Sequence, residues 1–436
     1  MYYESTVLYG YLWEMITFCA SYYKFIQWLV PVIQPVFNNS PFEQNMENTR
    51  KKRIAFIKSG SFSHINQSVA RELVKVFPEF EVEVIDVNRD ILNSNGASKL
   101  SVMLGASLAG ISEYGSRAIG KPGNLLKVAK KTGYFTETVS RMISSHIQKK
   151  GIENYAFTFQ MQSLFNAAVP GLPNFIYTDH THHASRYYPG FKEGELNSDH
   201  WQNTEYRMYQ QATRVFTMSS HVSNSLKEFY HCSEDKVSCV FAGTNAKVDK
   251  GPFNASRYAR KNILFVGVDW ERKGGPQLAK AFEKVLETHP DATLTVIGCS
   301  PDINIPNCEI KGRIPLEEVK EYYKQATLFC MPTRKEPFGV VFLEAMHYQL
   351  PVVTSNIGAT DDLVTNGQNG YKLDVDDVEG MAKRLSELVG DSEKCAKFGA
   401  CGYRLVKENY SWEAAVQKIR DHIASDLDIG QVVVHV

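Results

Sequence analysis

The sequence carries no excess of either charge. Lys plus Arg and Asp plus Glu each number 48, so no global field draws the chain to nucleic acid or acidic lipid, and any anion site must be local. It has no Gly-x-x-x-x-Gly-Lys-Ser/Thr loop, and no Gly-x-Gly-x-x-Gly follows either leading strand. Both absences weigh against a kinase and against a dinucleotide dehydrogenase. The eight cysteines include no Cys-x-x-Cys pair and no metal-ligand spacing; Cys299 and Cys330 lie beside apolar runs and read as small buried hydrophobes in a reducing compartment. A secretory signal needs a basic start, yet the only charge before Glu14 is Glu4.

What is present is a soluble globular composition, 43% hydrophobic and 22% charged, spread over a chain too long for one ordinary core. Residues 1–50 are set apart as an N-terminal extension. Residues 5–37 are apolar and aromatic, but Glu14 and Lys24 divide the run and Pro31 and Pro35 break its second half. A spanning helix needs about 20 predominantly apolar residues. A membrane-associated segment is one expectation. The other makes the stretch dispensable, with Met46 as the true start just before the first clear strand.

From Arg53 the pattern of strand, glycine turn, helix and strand predicts a parallel α/β sheet. Its strands fall at 53–60, 81–86, 155–159, 174–178 and 214–218, and residues 51–250 form the first Rossmann-like domain. After a Lys/Asp/Gly/Pro/Asn stretch near 248–260 the pattern restarts, with strands at 262–267, 292–298, 326–331, 350–355 and 370–373 in a second such domain over 258–405. Residues 406–436 make a final helix and tail. In open α/β sheets ligands bind outside the carboxyl ends of strands, and the motifs that follow lie at such ends.

In Met331-Pro-Thr-Arg-Lys-Glu-Pro-Phe-Gly339, Pro332 and Pro337 delay the helix after the strand, and a helix opens near Phe338 and Gly339. Such a start offers backbone N–H groups and a positive dipole end to phosphate, and glycine allows close approach. Glu344, flanked by Val341, Phe342, Leu343, Ala345 and Met346, suits a buried partner such as sugar hydroxyls. In Gly267-Val-Asp-Trp-Glu-Arg-Lys-Gly-Gly275, Arg272 and Lys273 are cations suited to a diphosphate. In Thr178-Asp-His-Thr-His-His183, the three histidines lack a second ligand cluster for zinc; His182 and His183 read as structural, and His180 is best placed for a cleft. Asp374-Val-Asp376 reads as a solvated helix start rather than a cation site.

On these residues the chain resembles the family-four group of retaining glycosyltransferases with the GT-B fold, most strongly over 262–372. The family's paired glutamates seven residues apart fall on Glu336 and Glu344, and its glycine-then-lysine turn on Gly267 and Lys273. The resemblance implies that Glu336 contacts the donor sugar, Phe338, Gly339 and Val340 the diphosphate, and Glu344 the ribose. It implies catalytic parts for Glu336, Lys273 and His180, and donor contacts for Arg272, Gly267 and Gly60. Val268 stands where the family usually has arginine, a place Arg272 is expected to fill. Ile357-Gly-Ala-Thr-Asp-Asp362 matches a further glycine-rich strand end, with Ala359 replacing a glycine. Ser411-Trp-Glu413 resembles the start of the C-terminal helix that crosses back to the first domain.

The implied reaction is metal-independent, retaining hexosyl transfer from a nucleotide diphosphate sugar, UDP-linked by family frequency, to a lipid or saccharide acceptor, with no cofactor. Fixed cations and N–H dipoles stabilise the departing diphosphate, whose own oxygen takes the acceptor's proton. An epimerase or phosphorylase of the same fold, and a silent nucleotide-sugar-binding protein, are the competing expectations. The expected place is the cytoplasm. Arg117, Lys121, Lys127, Lys130, Lys131, Arg141, Lys149 and Lys150 raise a peripheral seat on an anionic membrane.

Overall fold

The computed structural model describes residues 51–62, 64–94, 96–119, 123–244 and 255–429; the aromatic N-terminal segment and Met46 lie outside the described residues. Short apolar runs make the first sheet: β1 (Arg53–Lys58), β2 (Glu81–Asp86), β3 (Tyr155–Met161), β4 (Asn174–Thr178), β5 (Arg214–Thr217) and β6 (Val237–Cys239). They pair in parallel in the order β2-β1-β3-β4-β5-β6. Every residue of β4 and all but Ala156 of β3 are buried, as a parallel strand covered on both faces requires. The covering helices are α1 (Ile65–Val76), α2 (Gly96–Tyr114), α3 (Ser116–Ile119), α4 (Asn124–Ala129), α5 (Gly133–Lys149), α6 (Asp199–Gln211) and α7 (Ser220–Tyr230).

The second sheet holds β7 (Asn262–Val266), β8 (Thr293–Ile297), β9 (Cys308–Gly312), β10 (Leu328–Met331), β11 (Val352–Ser355) and β12 (Gly370–Leu373). Its order is β12-β11-β10-β7-β8-β9, again all parallel. Around it lie α8 (Gly275–Thr288), α9 (Leu316–Gln325), α10 (Val340–His347), α11 (Thr360–Leu363), α12 (Val378–Val389) and α13 (Ser392–Asn409), followed by α14 (Trp412–Asp426). The chain leaves β7 toward β8 and β9, then returns to start β10 on the other side. That reversal opens a crevice between the carboxyl ends of β7 and β10, where such sheets take ligands. The first sheet reverses likewise between β1 and β3.

Two strands escape the periodicity. β6 has three residues, and β9 alternates charge with apolar side chains as Cys-Glu-Ile-Lys-Gly. Both are edge strands, which need no two-sided apolar run.

Helix α14 ties the two sheets together. Ser411 caps it, its hydroxyl accepting from the Ala414 N–H at 3.0 Å. Arg214, on β5, grips Asp426 with two hydrogen bonds of 2.7 Å, and Arg420 pairs with Glu79 just beyond α1. One cluster of buried apolar side chains runs from Phe56 and Phe159 through Ile419 and Ile423 to Phe265 and Leu385. Among the described residues no helix is long and apolar enough to cross a membrane.

Candidate active site

The turns after β7 and β10 face each other across the reversal point, and they are stitched together by backbone. The Arg334 N–H donates to the Arg272 carbonyl at 2.9 Å, and an Arg272 Nη1–H donates to the Lys335 carbonyl at 3.0 Å. Gly274 makes the approach possible: its φ is 74°, and a Cβ there would lie 1.8 Å from the Pro332 carbonyl oxygen. Gly267 is confined more mildly, by side chains: a Cβ would lie 3.1 Å from the Phe265 ring and 3.2 Å from Lys273 Cγ.

This stitching delivers Lys273 to Glu336. The two form an ion pair with side chains only 12% and 8% exposed. Gly358, at φ 57°, closes over the Glu336 backbone from the β11 side; a Cβ there would stand 2.2 Å from the Glu336 carbonyl oxygen. The Ala359 N–H points to the same oxygen at 3.4 Å. Three motifs distant in sequence therefore fix one carboxylate.

Helix α10 begins immediately after it. Gly339 takes φ 89° at the N-cap, so no side chain caps the first-turn N–H groups of the helix. Phe338 is buried beneath it. Glu344 lies further along α10, where the Tyr323 hydroxyl donates to Oε2 at 3.3 Å. Burial pushes the Glu344 carboxyl up to about 7.

That shift carries a pH prediction. A carboxyl raised from 4.5 to about 7 keeps its proton in the folded state after the unfolded chain has lost it. Stability from this group therefore falls as pH rises from about 4.5 to 7. Glu344→Gln should unfold at higher urea than the parent at pH 8, by a margin of at most about 3 kcal/mol that vanishes below about pH 4. A margin independent of pH would refute the assignment.

The first sheet contributes the opposite wall. His180 follows β4; its Nε2 meets Ser185 Oγ at 3.3 Å, its ring stacks on Tyr188 at 6.1 Å, and its Nδ1 has no hydrogen-bond partner. Burial, then the Lys335 charge, pushes the ring down to about 3, so it is neutral at physiological pH. Lys335 comes across from the β10 turn, reaching Ser185 Oγ at 3.4 Å and lying 5.5 Å from the Tyr188 ring centre. Asp179, beside His180, is pushed up to about 6 by burial, with Glu336 adding to the effect. A cavity of about 930 Å³ passes Ser59, Asp179, His180, Lys335 and Pro337; a second of about 600 Å³ passes Tyr188, Arg272, Arg334 and Asp376.

Other predicted residues fall differently. Gly60 takes φ 65° after β1, with open space where a Cβ would be; its carbonyl accepts from Asn66 at 3.0 Å, and it is the neighbouring Ser59 that lines the larger cavity. Arg272 also reaches Asp269 Oδ2 at 3.3 Å, while Val268 is 65% exposed. His182 accepts the Asn197 N–H through Nε2 at 2.7 Å and packs on Trp201, and like His180 it lines the larger cavity. His183 packs on Tyr230. Among the described residues no three His, Cys, Asp or Glu side chains converge as metal ligands.

Asp374 and Asp376 are exposed just ahead of α12, whose N-cap is Asp377; Asp376 also pairs with Arg334 and accepts from Gln277 at 2.7 Å on the rim of the smaller cavity. Asp179, Tyr188 and Lys335 were missed. Position after a strand could have signalled Asp179, whereas nothing local marks Tyr188 or Lys335.

Two parallel α/β sheets of this kind, joined by a returning C-terminal helix, define the GT-B class. Residues 252–405, which contain the second sheet, match the family model "Glycosyl transferases group 1". The structure is similar to sucrose-phosphate synthase from Thermosynechococcus elongatus, with a TM-score of 0.55 and 17% identity over 68% of this chain and 79% of that one. It is also similar to HepE of Anabaena, solved with UDP and glucose, with a TM-score of 0.54 and 13% identity over 85% of this chain and 100% of that one. In sequence it is 28% identical, over 37% of this chain and 47% of the relative, to the GDP-mannose-dependent alpha-(1-6)-phosphatidylinositol monomannoside mannosyltransferase of Mycolicibacterium smegmatis. The chain spans about half the length of the curated relatives it matches, 47% to 63% for the first three.

Proposed function

We propose that this protein is a retaining, metal-independent glycosyltransferase that passes a hexosyl group from a nucleotide diphosphate sugar, UDP-linked, to a saccharide or lipid acceptor. The supporting observation is the convergence of Lys273 and Glu336 at the reversal point of the second sheet, with Lys335 and Pro337, on either side of Glu336, lining one cavity with His180. Lys273, Arg272 and the N–H groups at Gly339 and Val340 receive the diphosphate, Gly267 and Phe338 shape its seat, and Glu344 takes ribose hydroxyls. Glu336 holds the donor sugar, and neutral His180 offers it a hydrogen bond. The donor's carbon–oxygen bond breaks, the acceptor oxygen bonds to the same face, and the acceptor's proton passes to the departing phosphate oxygen. Charge develops on that phosphate, where fixed cations act most strongly.

The Mycolicibacterium relative is named for a lipid acceptor, which supports a lipid here and keeps GDP sugars in contention. A cytoplasmic place with peripheral membrane contact accords with such an acceptor. Labelled donor with anomeric NMR of the product tests the reaction. An altered free nucleotide sugar would mark an epimerase, phosphate-dependent release a phosphorylase, and binding without turnover a silent protein.

Donor choice has its own readout. The matching nucleotide sugar at about 100 times its dissociation constant should add about 2.7 kcal/mol to stability, seen as a raised Tm. We expect this from a UDP sugar. A response to GDP sugars alone would change the base, and no response to either would remove the donor site.

A further inference from the structure

Thirteen large apolar side chains stand exposed among the described residues, and six of them fall within residues 100–126. Leu100, Leu104, Leu108 and Ile111 follow one another at helical spacing along α2, and are between 42% and 71% exposed. Ile119 and Leu126 are exposed on α3 and α4, which pack against α2 and each other. Scattered exposed leucines are ordinary, but a stripe continued on adjoining helices is not. Helix α2 also buries Val102 and Ala106 on its inner side, so it is apolar on both faces.

Its surroundings are cationic. Residues 96–131 hold six basic residues and one acidic residue, in a chain of zero net charge. That acid, Glu113, is engaged by the Gly133 N–H, Ser198 and His200. Arg117, Lys127, Lys130 and Lys131 are exposed. Lys150, from the wider basic run, pairs with Glu83 on β2. Lys99, Val102 and Met103 of α2, with Lys130 and Lys131, wall the same cavity that reaches Asp179 and His180.

From this we infer that the α2–α4 face docks on an anionic lipid bilayer, the α2 stripe entering the interface and the lysines meeting headgroups. An apolar stripe fringed by cations is what an interfacial helix presents, and α2 does not qualify to cross. The cavity it walls would then open toward lipid-borne acceptors. The docking itself is independent of the transferase assignment; only the acceptor's nature rests on it.

The test uses the full chain and flotation with vesicles of phosphatidylcholine alone or mixed with phosphatidylglycerol. Binding is expected to the mixed vesicles, weakened by salt, and to fall about 10-fold or more in L100D/L108D, whose side chains lie outside both cavities. The variant's Tm should match the parent's, since both positions are exposed. Undiminished binding by the variant would place the contact elsewhere, residues 1–50 included, and overturn the inference. So would absence of binding to mixed vesicles, or a parent that sediments as a dimer while the variant is monomeric. Donor thermal shifts on the same preparations, without vesicles, fail or succeed separately.

Discussion

A Glu336→Ala protein is expected to transfer sugar about 10²–10³-fold more slowly than the parent. The Glu336 side chain is 8% exposed and the residue is held at both ends, by Lys273 at its carboxylate and by the Gly358–Ala359 turn at its backbone. It has no freedom to act as a general solvating group, so its contribution depends on what occupies the crevice beside it. The substitution also strands the Lys273 ammonium in a poorly hydrated place. Breaking a buried pair by deleting one partner costs about 3–5 kcal/mol, and this pair, slightly exposed, belongs at the lower end. A nucleotide diphosphate would return negative charge to Lys273. Saturating UDP should therefore raise the variant's unfolding midpoint more than the parent's. Unchanged turnover of labelled donor would sink the site. A rise in KM with kcat preserved would make Glu336 a binding group that does not distinguish the transition state.

The second sheet was largely legible because its strands are buried on both faces, and continuous apolar runs such as Ile263–Phe265 mark such strands. Its order could not be read from any window. Only the structure places β10 beside β7, and with it Lys273 beside Glu336, 63 positions apart. The glycines at 267, 274, 339 and 358 were visible as letters, but what each approaches is a tertiary fact. Edge strands β6 and β9 were missed because their one-sided environment relaxes the pattern that betrays central strands. Lys335 sits next to a motif residue, yet a lysine in a loop carries no local signal. Its contacts with Ser185 and Tyr188 come from the other sheet.

Gly274→Ala should show how much of the site depends on that tertiary fit. Two effects act together. Alanine at φ 74° costs roughly 1 kcal/mol in the left-handed region. The larger effect is steric, because the added Cβ would lie 1.8 Å from the Pro332 oxygen and 2.6 Å from its carbonyl carbon. Both are backbone atoms, so no rotamer change relieves the overlap, and the β7 and β10 turns must part by about 1 Å or more. The expected loss is about 3 kcal/mol of stability. Transfer should fall about 10²-fold, since a displacement of that size misaligns Lys273 and Glu336 for the donor. Gly367→Ala separates the two effects. Gly367 has φ 75° with nothing within 4 Å of a Cβ, so it should lose only the roughly 1 kcal/mol of backbone strain and keep its transfer rate. Urea unfolding and labelled-donor turnover on both variants decide the matter. If Gly274→Ala transfers as well as Gly367→Ala, the close contact of the two turns does not set the geometry of the Lys273–Glu336 pair.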